Sequence, residues 1–201
     1  MNLCLATNNQ GKVKEYKALL DIAGLYLLTP SEVGLTQEAE EIGQNFSENA
    51  LIKAREICQK SGMTALADDS GLCVETLDDA PGIYSARYGG KDCKTDQERC
   101  KLLLKNMLSK RNRRAYFICA IAVVTPDGRE EVFEGRFYGQ IAHEPKGQNG
   151  FGYDSIFYVP SLAKHLAQLS LEQKDAISHR AIASKKALPY LQKLVENMIN
   201  N

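Results

Sequence analysis

The long apolar run from Tyr116 to Thr125, followed by Pro126-Asp127-Gly128 and a second extended stretch from Val132 to Ile141, constrains this fold more than any other feature. Two strand-forming runs closed by a turn tripeptide predict a hairpin, hence local antiparallel pairing. Upstream, strands and helices alternate instead. Leu3–Ala6 reads as a short buried strand. Val13, Tyr16, Leu19, Leu20 and Ala23 then recur at helical spacing before Gly24, and Leu25–Leu28 reads as a second strand. Alternation combined with one hairpin predicts a mixed sheet with helices on its faces, not a purely parallel doubly wound one.

The remaining elements fit that plan. Asn45 with Glu48 three residues on has the form of a capping box, and Phe46, Ala50, Ala54 and Ile57 form the inner stripe of the helix it starts. The apolar run Thr64–Ala67 ends at a corner, Asp68-Asp69-Ser70-Gly71, and Leu72–Thr76 resumes as a strand until Asp78-Asp79-Ala80-Pro81-Gly82 breaks it. Thr95 and Glu98 cap a further helix with Cys100, Leu103, Leu104, Met107 and Leu108 on one side. It ends before Arg111, Arg113 and Arg114, which read as solvated. Ser155–Val159 reads as a strand, and a last helix runs from about Ala176 to Asn197, interrupted or kinked at Pro189.

Composition narrows the function classes. The chain has 201 residues, 44% of them hydrophobic, enough to bury a core as one domain or two closely joined lobes. With 25 basic and 25 acidic residues the formal net charge is zero, so no overall field draws it to nucleic acid or an anionic membrane. Met1–Ala6 lacks a basic flank and soon turns polar, which fits neither a secretion signal nor a membrane span and predicts a cytoplasmic protein. Six cysteines occur without a CxxC pair and the three histidines lie far apart, so reduced, mostly buried thiols are expected rather than zinc or disulfides.

Five polar segments exceed what connection requires. Neighbouring carboxylates on an extended chain diverge, so one of Asp68 and Asp69 is available to a hard cation while the other orients the loop. Thr7-Asn8-Asn9-Gln10-Gly11-Lys12 lies between a strand and a helix start, where free backbone N–H groups, the dipole and the Lys12 charge favour phosphate. The run Glu38, Glu40, Glu41 offers a second carboxylate for Mg²⁺, and the residues alone do not choose among the three. Lys53 can reach the same cluster, against its plainer reading as an exposed helix lysine. Gly147–Asp154 is glycine-rich and then aromatic: Phe151 or Tyr153 offers a wall for a base and Asp154 a reader of donors, the alternative being aromatics packed in the core. Lys174 and Ser178 are four apart and share a helical face, with His179 and Arg180 turning around it. Adjacent Ser178 and His179 diverge, and there is no GxSxG elbow, so this is no hydrolase triad; donors for a purine or phosphate fit better.

Taken together, these segments resemble the inosine triphosphate pyrophosphatase family, the non-canonical purine NTP pyrophosphatases. The resemblance rests on Thr7–Lys12, Phe46-Ser47-Glu48-Asn49-Ala50 with Lys53, Ala67-Asp68-Asp69-Ser70-Gly71, Pro81-Gly82-Ile83-Tyr84-Ser85-Ala86-Arg87, Phe151-Gly152-Tyr153-Asp154 and Ser178-His179-Arg180, in order over nearly the whole chain. It implies one ITPase-like domain over residues 1–201: an α/β fold with a long mixed β-sheet and flanking helices, two lobes around a central cleft. It also implies a homodimer and Mg²⁺-dependent hydrolysis of ITP, dITP and XTP to the monophosphate and pyrophosphate. By the same resemblance Thr7, Asn8, Asn9, Gln10, Gly11 and Lys12 hold the triphosphate, Glu40 and Asp69 the metal, and Asp69 activates water. Ser70, Phe151, Gly152, Tyr153, Asp154 and Lys174 contact the nucleotide, and His179 and Arg180 meet the 6-oxo edge. That last role is physically apt, since a 6-oxo purine presents an acceptor where adenine presents a donor.

Two other classes compete. A nucleotide sensor without hydrolysis would use the same loops, although an intact acid pair argues against it. A single-stranded nucleic-acid binder would use Arg111, Arg113 and Arg114 beside Tyr116 and Phe117. Zero net charge and burial of that strand count against this second class.

Overall fold

The computed structural model describes residues 1–35 and 42–199. Its elements are β1 (Asn2–Leu5), α1 (Gln10–Leu19), β2 (Tyr26–Leu28), α2 (Phe46–Ser61), β3 (Thr64–Val74), α3 (Asp96–Asn106), β4 (Arg114–Val124), β5 (Glu130–Ile141), β6 (Phe157–Val159), β7 (Lys164–His165), α4 (Leu171–Ile177) and α5 (His179–Ile199). The described strands form one seven-stranded sheet in the order β2-β1-β3-β4-β5-β6-β7. β1 pairs parallel with β2 and β3, whereas β6 pairs antiparallel with β5 and β7, so the sheet is mixed as the alternation and the hairpin require. At the hairpin, Thr125 N donates to Arg129 O (3.0 Å) beside the turn, and Ile141 N donates to Arg113 O (2.8 Å) at the far end.

The chain divides into two compact units. Residues 1–69, 119–135 and 180–201 make up the first; residues 70–118 and 136–179 the second. In the first unit, Leu3 and Leu5 of β1, Leu66 of β3 and Cys119, Ile121 and Val123 of β4 pack with Val13 and Tyr16 of α1 and Ala183, Ala187 and Leu191 of α5. Side chains alternate along a strand, so Ala65 and Ala67, also buried, occupy the opposite face of β3. The stripe Phe46, Ala50, Ala54 and Ile57 of α2 is buried throughout. In the second unit, Leu72 and Val74 of β3 and Phe117 of β4 pack with Cys100, Leu103 and Met107 of α3 and with Tyr153, Ile156 and Phe157.

Several expectations are corrected. β3 has no corner at Asp68-Asp69-Ser70-Gly71 but is one strand through them, since Leu66 and Leu72 belong to two cores and the chain runs extended from one to the other. Ala23 lies beyond α1 and is exposed. Leu108 lies beyond α3 and is 83% exposed, because the helix stops at Asn106. Arg113 is not solvated: its guanidinium donates to the carbonyls of Met107, Ile141 and Ala142. The final helical stretch is two helices, with Ser178 extended (φ −65°, ψ 161°) as the C-cap of α4. α5 runs on through Pro189 to Ile199.

Candidate active site

In the first unit, the acid pair is split by the strand it sits on. Asp68 has the same strand parity as Leu66 and faces α1 and α5, where its Oδ1 lies 3.0 Å from Lys12 Nζ and its Oδ2 3.4 Å from Arg180 Nη2. Arg180 also donates to Glu15 of α1, and its guanidinium stands 5.7 Å from the Tyr16 ring centroid. The side chains of Asp68, Arg180 and Glu15 are 0%, 1% and 3% exposed, so these charges are held by one another rather than by water. Burial opposes ionisation of Asp68, but Lys12, Arg180 and Lys53 overcome it and hold its carboxyl well below the usual carboxylate range. Cys119 sits beside it, Sγ 3.8 Å from Asp68 Oδ2, and burial and that carboxylate push its thiol up to about 12.

Asp69 has the parity of Ala67 and meets α2 instead. Its Oδ2 accepts from Asn49 Nδ2 (3.0 Å) and its Oδ1 from Lys53 Nζ (3.4 Å). Asn49 is fully buried, and its other amide atom, Oδ1, accepts from Gly43 N (2.8 Å), which fixes which way the amide points. Lys53 is thus a member of the acid cluster rather than an exposed helix lysine. Among the described residues no three or more His, Cys, Asp or Glu side chains are arranged to hold a metal. A magnesium site does not need such a group, since Mg²⁺ takes one or two protein carboxylates and keeps water and phosphate oxygens. Glu40, the expected second ligand, lies outside the described residues with Glu38 and Glu41.

The Thr7–Lys12 loop is more self-contained than its sequence suggests. Asn9 is the N-cap of α1, and its Oδ1 accepts from Gly11 N (2.9 Å) and Lys12 N (3.2 Å), while Asn9 N donates to Thr7 Oγ1 (3.2 Å). Three of the N–H groups expected to be free therefore have partners within the loop. Asn8, Asn9 and Gln10 are exposed at its surface, and Lys12 points its charge at Asp68.

The second unit carries the aromatic loop. Phe151 is 37% exposed, and the ammonium of Lys174 lies 4.7 Å from its ring centroid, within cation–π range. Tyr153 is buried, its hydroxyl donating to Ser85 O (2.9 Å), so of the two aromatics only Phe151 presents a ring at the surface. Asp154 is buried and its Oδ2 accepts from Lys174 Nζ (2.8 Å) and Phe151 N (3.0 Å). Gly150 makes this possible: at φ +78°, a Cβ there would stand 2.0 Å from Asp154 Oδ2. Ser70 follows Asp69 on β3 and is half-buried. His179, the first residue of α5, is buried and stacks on Phe117 (centroids 4.9 Å apart, 15° between planes).

This placement changes three readings. Lys174 and Ser178 do not share a helical face with His179 and Arg180 turning around it, since Ser178 is the extended C-cap between two helices. Arg180 contacts buried carboxylates of the first unit. Phe117 is buried and Arg113 is engaged by carbonyls, so they present no stacking track for a single strand. Sequence reasoning missed Glu15 and assigned no role to Asn49. Glu15 sits one residue from the apolar stripe of α1 and carries no local signal, whereas Asn49 lies inside the Phe46–Ala50 motif and could have been found there.

Two adjacent buried carboxylates on opposite faces of one strand, each held by a lysine, next to a lysine-bearing strand–loop–helix junction, are equipment for phosphate chemistry in an α/β protein. The chain belongs to the Ham1 family, whose family model matches residues 3–190. A Bacillus licheniformis protein named dITP/XTP pyrophosphatase is 46% identical, covering 90% of this chain and 93% of its own. A Bacillus subtilis protein of the same name is 43% identical, with 96% of each chain covered. Among solved structures, a Ham1 protein of Staphylococcus aureus matches with a TM-score of 0.87 at 41% identity, covering 96% of this chain and 99% of its own. One from Coxiella burnetii reaches 0.89 at 39% identity, with the same shares covered.

Proposed function

We propose that this chain hydrolyses non-canonical purine nucleoside triphosphates (dITP, ITP and XTP) to the monophosphate and pyrophosphate, in a Mg²⁺-dependent reaction. The observation that carries the reading is the division of the acid pair: Asp68 held by Lys12 and Arg180, Asp69 by Asn49 and Lys53. The relatives' name, at 43–46% identity over nearly the whole chain, supports the base class.

In this reading Asp69 orients a water and, with Glu40, holds the ion. The ion supplies charge neutralisation at phosphate oxygens. Thr7, Asn8, Asn9, Gln10, Gly11 and Lys12 handle the triphosphate, with Lys12 offsetting charge on the departing pyrophosphate. Ser70, Phe151, Gly152, Tyr153, Asp154 and Lys174 serve the nucleoside, with Phe151 offering the ring face and Tyr153 its packed support. His179 and Arg180 are assigned to the 6-oxo edge; for Arg180 this requires exchanging a partner among Glu15 and Asp68 for the base. The chain acts as a single domain, as a cytoplasmic homodimer, with neither nucleic acid nor membrane as partner. Among the described residues no helix is long and apolar enough to cross a membrane.

The test is pyrophosphate release from ITP, dITP, XTP, ATP, GTP and dTTP at equal concentration, each with Mg²⁺ and with chelator. Mg²⁺-dependent cleavage confined to the first three is expected. Binding of ITP without hydrolysis would return the chain to the sensor class, and equal cleavage of all six would remove the selectivity assigned to His179 and Arg180.

A further inference from the structure

Gly152, between Phe151 and Tyr153, is gripped by α3 at both of its backbone polar groups. Gly152 N donates to Asp96 Oδ2 (2.7 Å), and the Cys100 thiol, one turn further along the helix, donates to Gly152 O (3.4 Å). Asp96 is itself fixed: its Oδ1 accepts from Arg99 Nη2 (2.6 Å), and Arg99 Nη1 reaches Cys93 O (3.3 Å). The spacing is what a helix gives, since residues i and i+4 stand one above the other and can present an acceptor and a donor to the backbone of one residue. The rest of the loop is anchored behind the ring. Tyr153 is tied to Ser85, and Asp154 draws in Phe151 N and Lys174. Phe151, 37% exposed, is therefore the projecting end of a segment tied down by hydrogen bonds at Gly152, Tyr153 and Asp154.

We infer that Asp96 and Cys100 are positioning residues for nucleoside binding: by clamping the backbone of Gly152 on both sides they set the stance of the Phe151 ring against which a purine stacks. Neither touches substrate. The inference rests on the proposed nucleoside role of Phe151, and it assigns nucleoside binding in part to a helix outside the segments that carry the family resemblance. A ring held in advance binds a base without first losing backbone freedom, so the clamp acts on binding and not on the chemical step.

The test compares Asp96→Ala, Asp96→Asn, Cys100→Ala and Phe151→Ala, and the double variant Asp96→Ala/Phe151→Ala, by steady-state hydrolysis of ITP. Asp96→Ala should raise KM about tenfold with kcat within about twofold, the size expected when a hydrogen bond to a charged acceptor is lost. Asp96→Asn keeps an acceptor for Gly152 N and should restore KM to within about threefold. Cys100→Ala, which deletes the weaker arm, should raise KM less. The double variant should be no worse than Phe151→Ala alone, because the clamp acts through that ring. A normal KM in both Asp96→Ala and Cys100→Ala beside a raised KM in Phe151→Ala overturns the clamp. A normal KM in Phe151→Ala overturns instead the nucleoside reading on which it stands. A loss of kcat in Asp96→Ala that Asp96→Asn does not restore would mark a merely structural role in α3 and refute the inference.

Discussion

Asp68 and Asp69 are adjacent in the chain yet leave β3 on opposite faces and are held by different helices, Asp68 by Lys12 of α1 and Arg180 of α5, Asp69 by Asn49 and Lys53 of α2. A strand, and not a turn, is the element that separates two neighbouring carboxylates so fully. On one face the charge is held by a lysine and a buried arginine, and on the other by a lysine and a buried amide.

The first consequence concerns Arg180. Its guanidinium bridges Glu15 and Asp68 with every partner buried, so Arg180→Ala takes a buried cation away from two buried carboxylates, Asp68 keeping Lys12. Breaking a buried pair from one side costs about 3–5 kcal/mol, and urea unfolding should show a loss of that size. Under conditions where the variant is still folded, its preference for ITP over ATP should narrow. An unchanged ratio removes Arg180 from base reading and leaves it a structural cation.

Asp69→Asn keeps the shape of the side chain and an oxygen for Asn49 or Lys53, but removes the charge. Turnover of ITP should fall by about 100-fold or more, the usual scale for a lost general base, while nucleotide affinity from equilibrium binding stays within a few-fold. Near-normal turnover would mean that Asp69 is not the group that orients water.

Much of this was legible in the sequence, for identifiable reasons. The hairpin, the stripe of α2 and the caps at Asn45 and Thr95 are local, and local patterns survive folding: Thr95 and Glu98 form the full reciprocal box. The divergence of the acid pair followed from strand geometry even though its corner did not form. What was not legible depends on long-range pairing. Glu15 is 165 residues from Arg180, and nothing near either position announces the other. Arg113 looked solvated because its partners are backbone carbonyls, which every residue carries. Ser178 broke a continuous helical periodicity through its own φ and ψ rather than through a glycine or proline.

Acid should expose the role of Asp68. Its folded-state carboxyl titrates well below the ordinary value of 3.8, because Lys12, Arg180 and Lys53 outweigh the burial that opposes its charge. A depressed folded pKa contributes stability that is complete above the unfolded value and is lost as pH falls through the window between the two. Unfolding free energy should therefore hold steady down to about pH 5 and decline below about pH 4. In Asp68→Asn that decline should be shallower, whatever the variant's stability at neutral pH. An equal acid slope in both proteins would mean that Asp68 is not ion-paired in the folded state.

Alkali should act through the thiols in the opposite sense. Burial raises Cys4, Cys73 and Cys100 from 9.0 to about 11, and burial with the neighbouring Asp68 raises Cys119 to about 12. A raised folded pKa favours the protonated thiol in the fold. Its contribution is therefore complete below the unfolded value and is lost as pH rises through 9 toward the folded value. Each such thiol steepens the loss by up to about 1.4 kcal/mol per pH unit once the unfolded chain ionises. Unfolding free energy should accordingly be flat from pH 7 to 8.5 and fall between pH 9 and 10, and Cys119→Ala should reduce that slope by about one proton's worth. The same burial makes these thiols slow to alkylate at pH 8, since the thiolate is the reactive form. Half-buried Cys93 should label first in the native protein, and the buried five only on unfolding. Rapid native-state labelling of Cys119 would contradict its enclosure beside Asp68.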